Sequence, residues 1–170
     1  MAVISEAMLS EATYANRLDA EFFDPSDIAL ISKLAAEKGV RLGDICEVFN
    51  GRTPEDYCED GEVPIVRSGD LVSPFIYPGC EQNFLRAKIS KWMVRLKTGD
   101  VLVSSIGMGS IGKISLVMDH GTFATVSEVT VLRSRSYPCE ILFTYLTTMA
   151  GQHQINRQVT GATGQQHLLK

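Results

Sequence analysis

The stretch Thr98-Gly-Asp-Val-Leu-Val-Ser-Ser-Ile-Gly-Met-Gly-Ser-Ile-Gly-Lys113 decides how this chain folds. Gly107, Gly112 and Lys113 fit the G-x-x-x-x-G-K part of a P-loop, and Gly107, Gly109 and Gly112 also fit G-x-G-x-x-G. Both motifs need a helix N-terminus directly after the glycines, where free N–H groups and the helix dipole meet the phosphates. Here the chain continues Ile114-Ser-Leu-Val-Met118, β-branched and apolar, and then turns at Asp119-His-Gly121. That pattern is a strand. A P-loop also places Ser or Thr after its Lys to hold Mg²⁺, and Ile114 cannot coordinate a metal. The stretch therefore predicts strand, glycine turn, strand; a P-loop-like nucleotide-binding protein is the competing reading.

Outward from this hairpin the pattern stays mostly β. Residues 101–106, 111–118, 122–126 and 128–132 read as strands with Gly, Asp and Ser punctuation. Upstream, 63–67 and 71–76 are short strand candidates around the turn Ser68-Gly-Asp70. Segment 85–97 is ambiguous: Leu85, Ile89, Trp92 and Leu96 match a helical face, whereas 92–96 also suits extended chain. Residues 52–62 are polar, contain Pro54 and Gly61, and predict a surface loop. Residues 42–49 allow either a helical turn or a strand, ending at Asn50-Gly51.

Helices flank this β region. Asp24-Pro25 is a start signal, Ile28, Ile31, Leu34 and Ala35 repeat at helical spacing, and Gly39 stops the helix. Pro138 opens another, with Ile141, Leu142, Tyr145, Leu146 and Met149 on one side and Gly151 after it. A more polar helix is expected over 152–159, then a glycine-punctuated loop from Thr160. The expected class is α+β: a strand-rich domain over 25–164 with an N-terminal helix and C-terminal helices. Residues 1–24 precede it as an arm.

The chain has 170 residues, 45% apolar and 21% charged, enough for one domain with a real core. No apolar run approaches membrane-spanning length, and the N-terminus lacks the cationic start and apolar stretch of a signal peptide. A cytoplasmic location without a membrane partner is the expectation. Cys46, Cys58, Cys80 and Cys139 form no C-x-x-C pair, and His120, His153 and His167 are scattered. Close-spaced metal ligands are missing, so we expect no metal site, no cofactor, and free, mostly buried thiols.

Net charge is −4, but it is unevenly spread. Residues 1–62 hold 14 acids and 5 bases, and residues 63–170 hold 6 acids and 11 bases. Leu85-Arg-Ala-Lys-Ile-Ser-Lys-Trp-Met-Val-Arg-Leu-Lys97 carries five bases and no acid. One face can therefore meet a polyanion while the N-terminal part stays acidic; a solvated surface face would show the same pattern.

The order of several short words resembles one half of a type I restriction-modification specificity subunit, the S subunit. The words are Arg17-Leu-Asp-Ala-Glu-Phe-Phe-Asp-Pro25, Leu42-Gly-Asp-Ile45, Gly51-Arg-Thr-Pro54 and Val63-Pro-Ile-Val-Arg-Ser-Gly-Asp-Leu71. They continue with Thr98-Gly-Asp-Val-Leu-Val-Ser, Gly109-Ser-Ile-Gly-Lys113 and Thr160-Gly-Ala-Thr-Gly-Gln-Gln-His-Leu168. Each alone is weak; their shared order spans residues 17–170.

The resemblance implies a target recognition domain that reads one half of a split double-stranded DNA sequence. Such subunits carry two of these domains, each followed by a long spacer helix. They assemble with adenine-N6 methyltransferase subunits, and with restriction/motor subunits when cutting is required. This chain holds one domain and stops where the spacer helix should begin, so 165–170 are expected to open a truncated helix. A second S half or a second copy of the chain would complete the pattern. The same module within a fused restriction-methyltransferase is the alternative origin, and a protein-interaction scaffold is a third reading.

Readout of DNA needs side chains with hydrogen-bonding ends on loops that reach a groove. Arg52 and Thr53 on the polar loop, and Arg67 and Ser68 at a strand end, are the candidates for base contacts. Arg86, Lys88 and Lys91 supply phosphate-directed charge, and Lys113 follows a glycine turn. Arg67 could instead pair with Asp70, and Lys113 could extend from a strand edge into solvent. The turns at Gly69-Asp70 and Gly99-Asp100 are read as structural.

Catalytic signatures are missing. No Asn-Pro-Pro-Tyr-like word accompanies a glycine loop opening an α/β unit. The acids of 55–62 lack the Lys of a nuclease site, and Ser104 and Ser105 lack a nucleophile-elbow setting. The expectation is a reader, not an enzyme.

Overall fold

The computed structural model describes residues 7, 8, 10, 13, 15, 17, 19–37, 39–81, 83–107, 109–160, 167 and 168. In chain order the elements are α1 (Pro25–Ala36), a single turn α2 (Leu42–Ile45), β1 (Cys46–Asn50), β2 (Val63–Val66), β3 (Phe75–Ile76), β4 (Leu85–Ala87) and β5 (Val94–Arg95). Then come β6 (Val101–Ser104), β7 (Ile114–Val117), β8 (Ala124–Thr125), β9 (Val129–Ser134), α3 (Cys139–Thr147), α4 (Met149–Arg157), β10 (Val159–Thr160) and β11 (His167–Leu168). Short 3₁₀ turns cover Ala20–Phe23 and Ser68–Asp70. The α+β class expected from the sequence is what the chain adopts.

The deciding stretch is a hairpin: β6 pairs antiparallel with β7, Val103 opposite Ile114. Ser104 N–H donates to Lys113 at 2.9 Å and Gly112 N–H returns to Ser104 at 2.9 Å. Gly107 and Gly112, at φ +109° and +80°, take the backbone where a side chain would be strained. No helix follows Lys113, so the strand–turn–strand reading holds.

This hairpin is central to a five-stranded sheet ordered β1-β9-β6-β7-β3, and a four-stranded sheet is ordered β4-β2-β8-β5. The alternation of side chains builds three layers. Leu102, Val117, Val129 and Val131 pack with Ile65, Val66, Ala87 and Phe123 between the two sheets. Val101, Val103, Ile114, Leu116 and Leu132 face the other way, onto Leu142, Leu146 and Ile155 of the C-terminal helices. β6 is buried on both faces, which is why its sequence is a continuous apolar run rather than an alternating one.

Helix α1 begins as expected, with Asp24 accepting from Ser26 N–H at 2.8 Å and Pro25 in the first turn. It is tied to α4 by Asp27 and His153, 2.5 Å apart. Arg157 donates to the Phe22 carbonyl at 2.8 Å, and Arg17 to the Val159 carbonyl at 2.9 Å. Both guanidinium groups lie against the Phe22 ring, at 4.2 and 4.8 Å from its centroid. Arg17 and Phe22 are thus docked on the C-terminal end of α4 and the strand after it.

Several boundaries differ from expectation. Of 71–76 only Phe75–Ile76 is strand, because Pro74 has no N–H for a ladder and Val72 faces solvent. Residues 42–49 are both alternatives in succession, a helical turn and then a strand. Gly151 does not end a helix. The break falls at Thr148, whose hydroxyl accepts from Gly151 N–H at 3.3 Å and starts α4 at Met149. Of the expected apolar face only Leu142 and Leu146 are buried, while Ile141, Tyr145 and Met149 are exposed. His167 and Leu168, within the segment expected to open a spacer helix, pair as a strand with Val159–Thr160; 165, 166, 169 and 170 lie outside the described residues. Among the described residues no helix is long and apolar enough to cross a membrane.

Candidate nucleic-acid interface

Strands β2 and β4 pair antiparallel with Pro64 opposite Arg86. This register brings the loop leading into β2 beside the segment leaving β4, although they are distant in sequence. Between them is a groove of about 650 Å³ whose walls include Arg52, Thr53, Lys88, Ile89, Lys91 and Trp92. The loop is fastened at both ends. At one end Gly51 N–H donates to Val129 and Arg52 N–H to Thr125, at 3.1 and 2.9 Å. Gly51 is required there, since a Cβ would collide with the carbonyl oxygens of Val126 and Thr125. At the other end Cys58 N–H donates to the Arg86 carbonyl at 2.9 Å, and a Cβ on Gly61 would stand 2.5 Å from Ala87 N.

Arg86, expected to meet phosphate, serves this frame: its Nε donates to the Gly61 carbonyl at 2.7 Å and its Nη2 to the Glu62 carbonyl at 3.1 Å. Glu62 Oε2 in turn accepts from Ile89 N–H at 3.1 Å, which holds the opposite wall. Within the groove Trp92 is 58% exposed. The Arg52 guanidinium lies 5.1 Å and the Lys91 ammonium 4.8 Å from its ring centroid, within cation–π range. Lys88 stands 3.8 Å from Asp60 in a pair exposed on both sides, which is worth little in water. Glu55 and Asp56 line the loop side.

Beside the groove a polar cluster centres on Glu128. Thr53 Oγ1 is 2.8 Å from Ser127 Oγ, and both hydroxyls donate toward the Glu128 carboxylate, at 3.4 and 3.2 Å. The Glu128 carbonyl accepts from Ser68 Oγ at 3.0 Å and Ser105 Oγ at 2.9 Å. Arg67 pairs with Asp70, Nε and Nη2 each 3.1 Å from a carboxylate oxygen, and Asp70 holds the guanidinium above its ordinary pKa. Tyr57 is raised as well, by burial first and then by the Glu128 charge. Lys113 is exposed at the base of the glycine hairpin and makes no ion pair among the described residues.

The structure therefore gathers Arg52, Thr53, Lys88 and Lys91 around one groove and sets Ser68 and Arg67 on the adjoining cluster. It uses Arg86 as scaffold and leaves Lys113 apart. Sequence reasoning missed Trp92 and Glu128. The signal for Trp92 was present: it is the chain's one tryptophan, inside its densest basic run. Glu128 had none, because its role depends on three segments meeting.

The Gly-Asp turns are structural. Asp70 accepts from Arg67 N–H at 2.9 Å and Asp100 from Lys97 N–H at 2.8 Å, each three residues back. The cysteines are free, but only Cys46 is buried; Cys58, Cys80 and Cys139 are half-buried, fewer buried thiols than expected. Burial pushes the thiols of Cys46, Cys58 and Cys139 up, away from a reactive thiolate.

Comparison with known proteins gives a consistent family. Residues 37–170 match the family model described as type I restriction modification DNA specificity domain. The fold is similar to the HsdS subunit from Thermoanaerobacter tengcongensis, at TM-score 0.54 and 19% identity over 76% of this chain and 32% of that one. It is also similar to the S subunit of the type I restriction-modification system from M. genitalium, at TM-score 0.51 and 16% identity over 76% and 30%. A chain from a structure concerned with complex assembly and conformational transition of the type I R-M system matches at TM-score 0.51 and 21% identity, over 63% and 26%. This chain spans about a third or less of the length of these solved chains. No curated protein matches it significantly by sequence. With its matched region covering most of the sequence, the chain belongs to the type I restriction modification DNA specificity domain family.

Proposed function

We propose that this chain reads one half of a split sequence in duplex DNA as part of an S subunit. It would thereby direct adenine-N6 methyltransferase subunits, and restriction/motor subunits, to that target. The observation that carries this reading is the groove that gathers Arg52, Thr53, Lys88 and Lys91 around Trp92 in a member of this family. Lys88 and Lys91 fit phosphates, where ammonium groups release counterions and position the duplex without reading it. Arg52 and Thr53, with Ser68 and the Glu128 carboxylate beside them, fit base edges, which require donors and acceptors at fixed places. Arg67, held by Asp70, and Lys113, apart from the groove, are not needed for this reading. A chromosomal DNA ligand calls for a cytoplasmic location, and no step of this role needs a cofactor or bond-breaking residue in the chain.

The test is fluorescence anisotropy on a pool of random duplexes between low and physiological salt, with the chain alone and then with a methyltransferase subunit. The expected result is salt-sensitive binding alone, at about micromolar affinity or weaker. Selected sequences should emerge when the methyltransferase is present. No binding to the pool, with or without that subunit, would overturn the proposal.

A further inference from the structure

We propose that Trp92 is a stacking platform for one base that has left the duplex stack, with Lys88 and Lys91 taking the flanking phosphates. The inference rests on the DNA-reading function above but goes beyond it, since reading base edges requires no base to unstack.

Trp92 is held outward by the backbone. Met93 packs into the core, its N–H donates to the Ser90 carbonyl at 3.1 Å, and Trp92 N–H lies 3.4 Å from Ser90 Oγ. The indole therefore projects from a tight turn whose neighbour is anchored. Ile89, 68% exposed, extends this apolar surface along the same wall. An exposed indole and isoleucine contribute nothing to folding where they stand, and the cations beside them make a dry protein partner a poor match. Arg52 reaches the ring from the loop wall and Lys91 from its own, so the ring is gripped from two segments.

This combination suits a nucleotide. The π-face takes any base by stacking, and the adjacent cations take its phosphates. The groove is also polarised. Lys88 and Lys91 attract a sugar–phosphate backbone to one wall; Glu55 and Asp56 on the other repel it but can accept from base amino groups. Its volume lies within the range of small-ligand sites. An intact duplex offers base edges but no faces, so a ring used for stacking needs an unstacked base.

Trp92 is the chain's sole tryptophan, so its fluorescence reports on this site alone. The full chain is titrated with three probes of one sequence: a flush duplex, the same duplex with one unpaired base, and the single strand. We expect the unpaired-base duplex and the single strand to quench Trp92 and to bind about tenfold tighter than the flush duplex, toward the lower end for one base–aromatic stack. Trp92→Ala should remove that preference between probes in an anisotropy titration, and Trp92→Phe should keep part of it. Both variants should melt like wild type because the ring is exposed. Salt-sensitive binding to all three probes with equal affinity and no quenching would overturn the stacking role while leaving DNA reading intact. Failure to bind any of the three would overturn both.

Discussion

Asp100 and Arg133 form a two-pronged ion pair inside the domain, Nη2 2.7 Å and Nε 2.8 Å from the two carboxylate oxygens, with Asp100 only 1% exposed. It joins the Gly-Asp turn before β6 to the C-terminal end of β9, and the Arg133 guanidinium also covers the Phe49 ring at 5.0 Å. Removing Arg133 would leave the Asp100 carboxylate buried with little but the Lys97 N–H. Arg133→Ala should therefore cost about 3 kcal/mol, the lower end for breaking a buried pair, read as a lowered urea midpoint. Asp60→Ala, which breaks the exposed pair with Lys88, should leave the midpoint nearly unchanged. Equal effects would contradict this ranking.

Gly51→Ala should destabilise by about 3 kcal/mol or prevent folding, because the new methyl meets two backbone carbonyls that cannot move aside. Gly43→Ala, in a helical turn with open space around its Cα, should be neutral or stabilising by about 0.5 kcal/mol. Thermal melts of the two variants side by side check both.

The Asp24 and Asp119 carboxylates are held below the ordinary aspartate range, Asp24 by the Ser26 hydroxyl and N–H and Asp119 by Thr122. A depressed folded pKa means the unfolded chain binds the proton more readily. The stabilisation is then complete above about pH 5 and fades as pH falls through about 4 and below. Asp24→Asn with Asp119→Asn should melt below wild type at pH 6, and the gap should close toward pH 3. A gap that is constant with pH would show that the charged forms are not what the hydrogen bonds favour.

Replacing Lys88 and Lys91 together with Ala should flatten the dependence of log affinity on log salt by about two, one counterion-releasing contact each. Arg67→Ala should act mainly on stability, since its fork is engaged by Asp70. A full loss of DNA affinity by Arg67→Ala at unchanged melting temperature would place that side chain on the DNA instead.

Much of the frame was legible because its signals are local. The hairpin could be read from one β-branched run, and α1 from one capped start. Segment 85–97 was not, and the reason is physical: of the four residues that mimic a helical face, Leu96 is fully buried while Leu85, Ile89 and Trp92 are exposed. The spacing was coincidental to a largely extended segment whose buried residues are Ala87 and Leu96. The groove was half legible. Its residue types could be picked from polar loops, but their meeting depends on the β2–β4 register, which no local pattern encodes. The same holds for Arg86, whose charge suggested phosphate and whose position assigns it to the Gly61 and Glu62 carbonyls.

The fastening of the loop at Gly51–Arg52 and again at Cys58–Gly61 makes the residues between a cassette. Closure entropy grows by only about 0.6 kcal/mol for each doubling of loop length. Both anchors are made by backbone groups and Arg86, and Thr53 adds a side-chain tie to Ser127 and Glu128 at the first of them. Lineages of this domain can therefore rewrite or lengthen what lies between Thr53 and Tyr57 without refolding the sheets. If the groove reads DNA as proposed, its specificity changes by editing Pro54, Glu55 and Asp56 rather than by reshaping a fold.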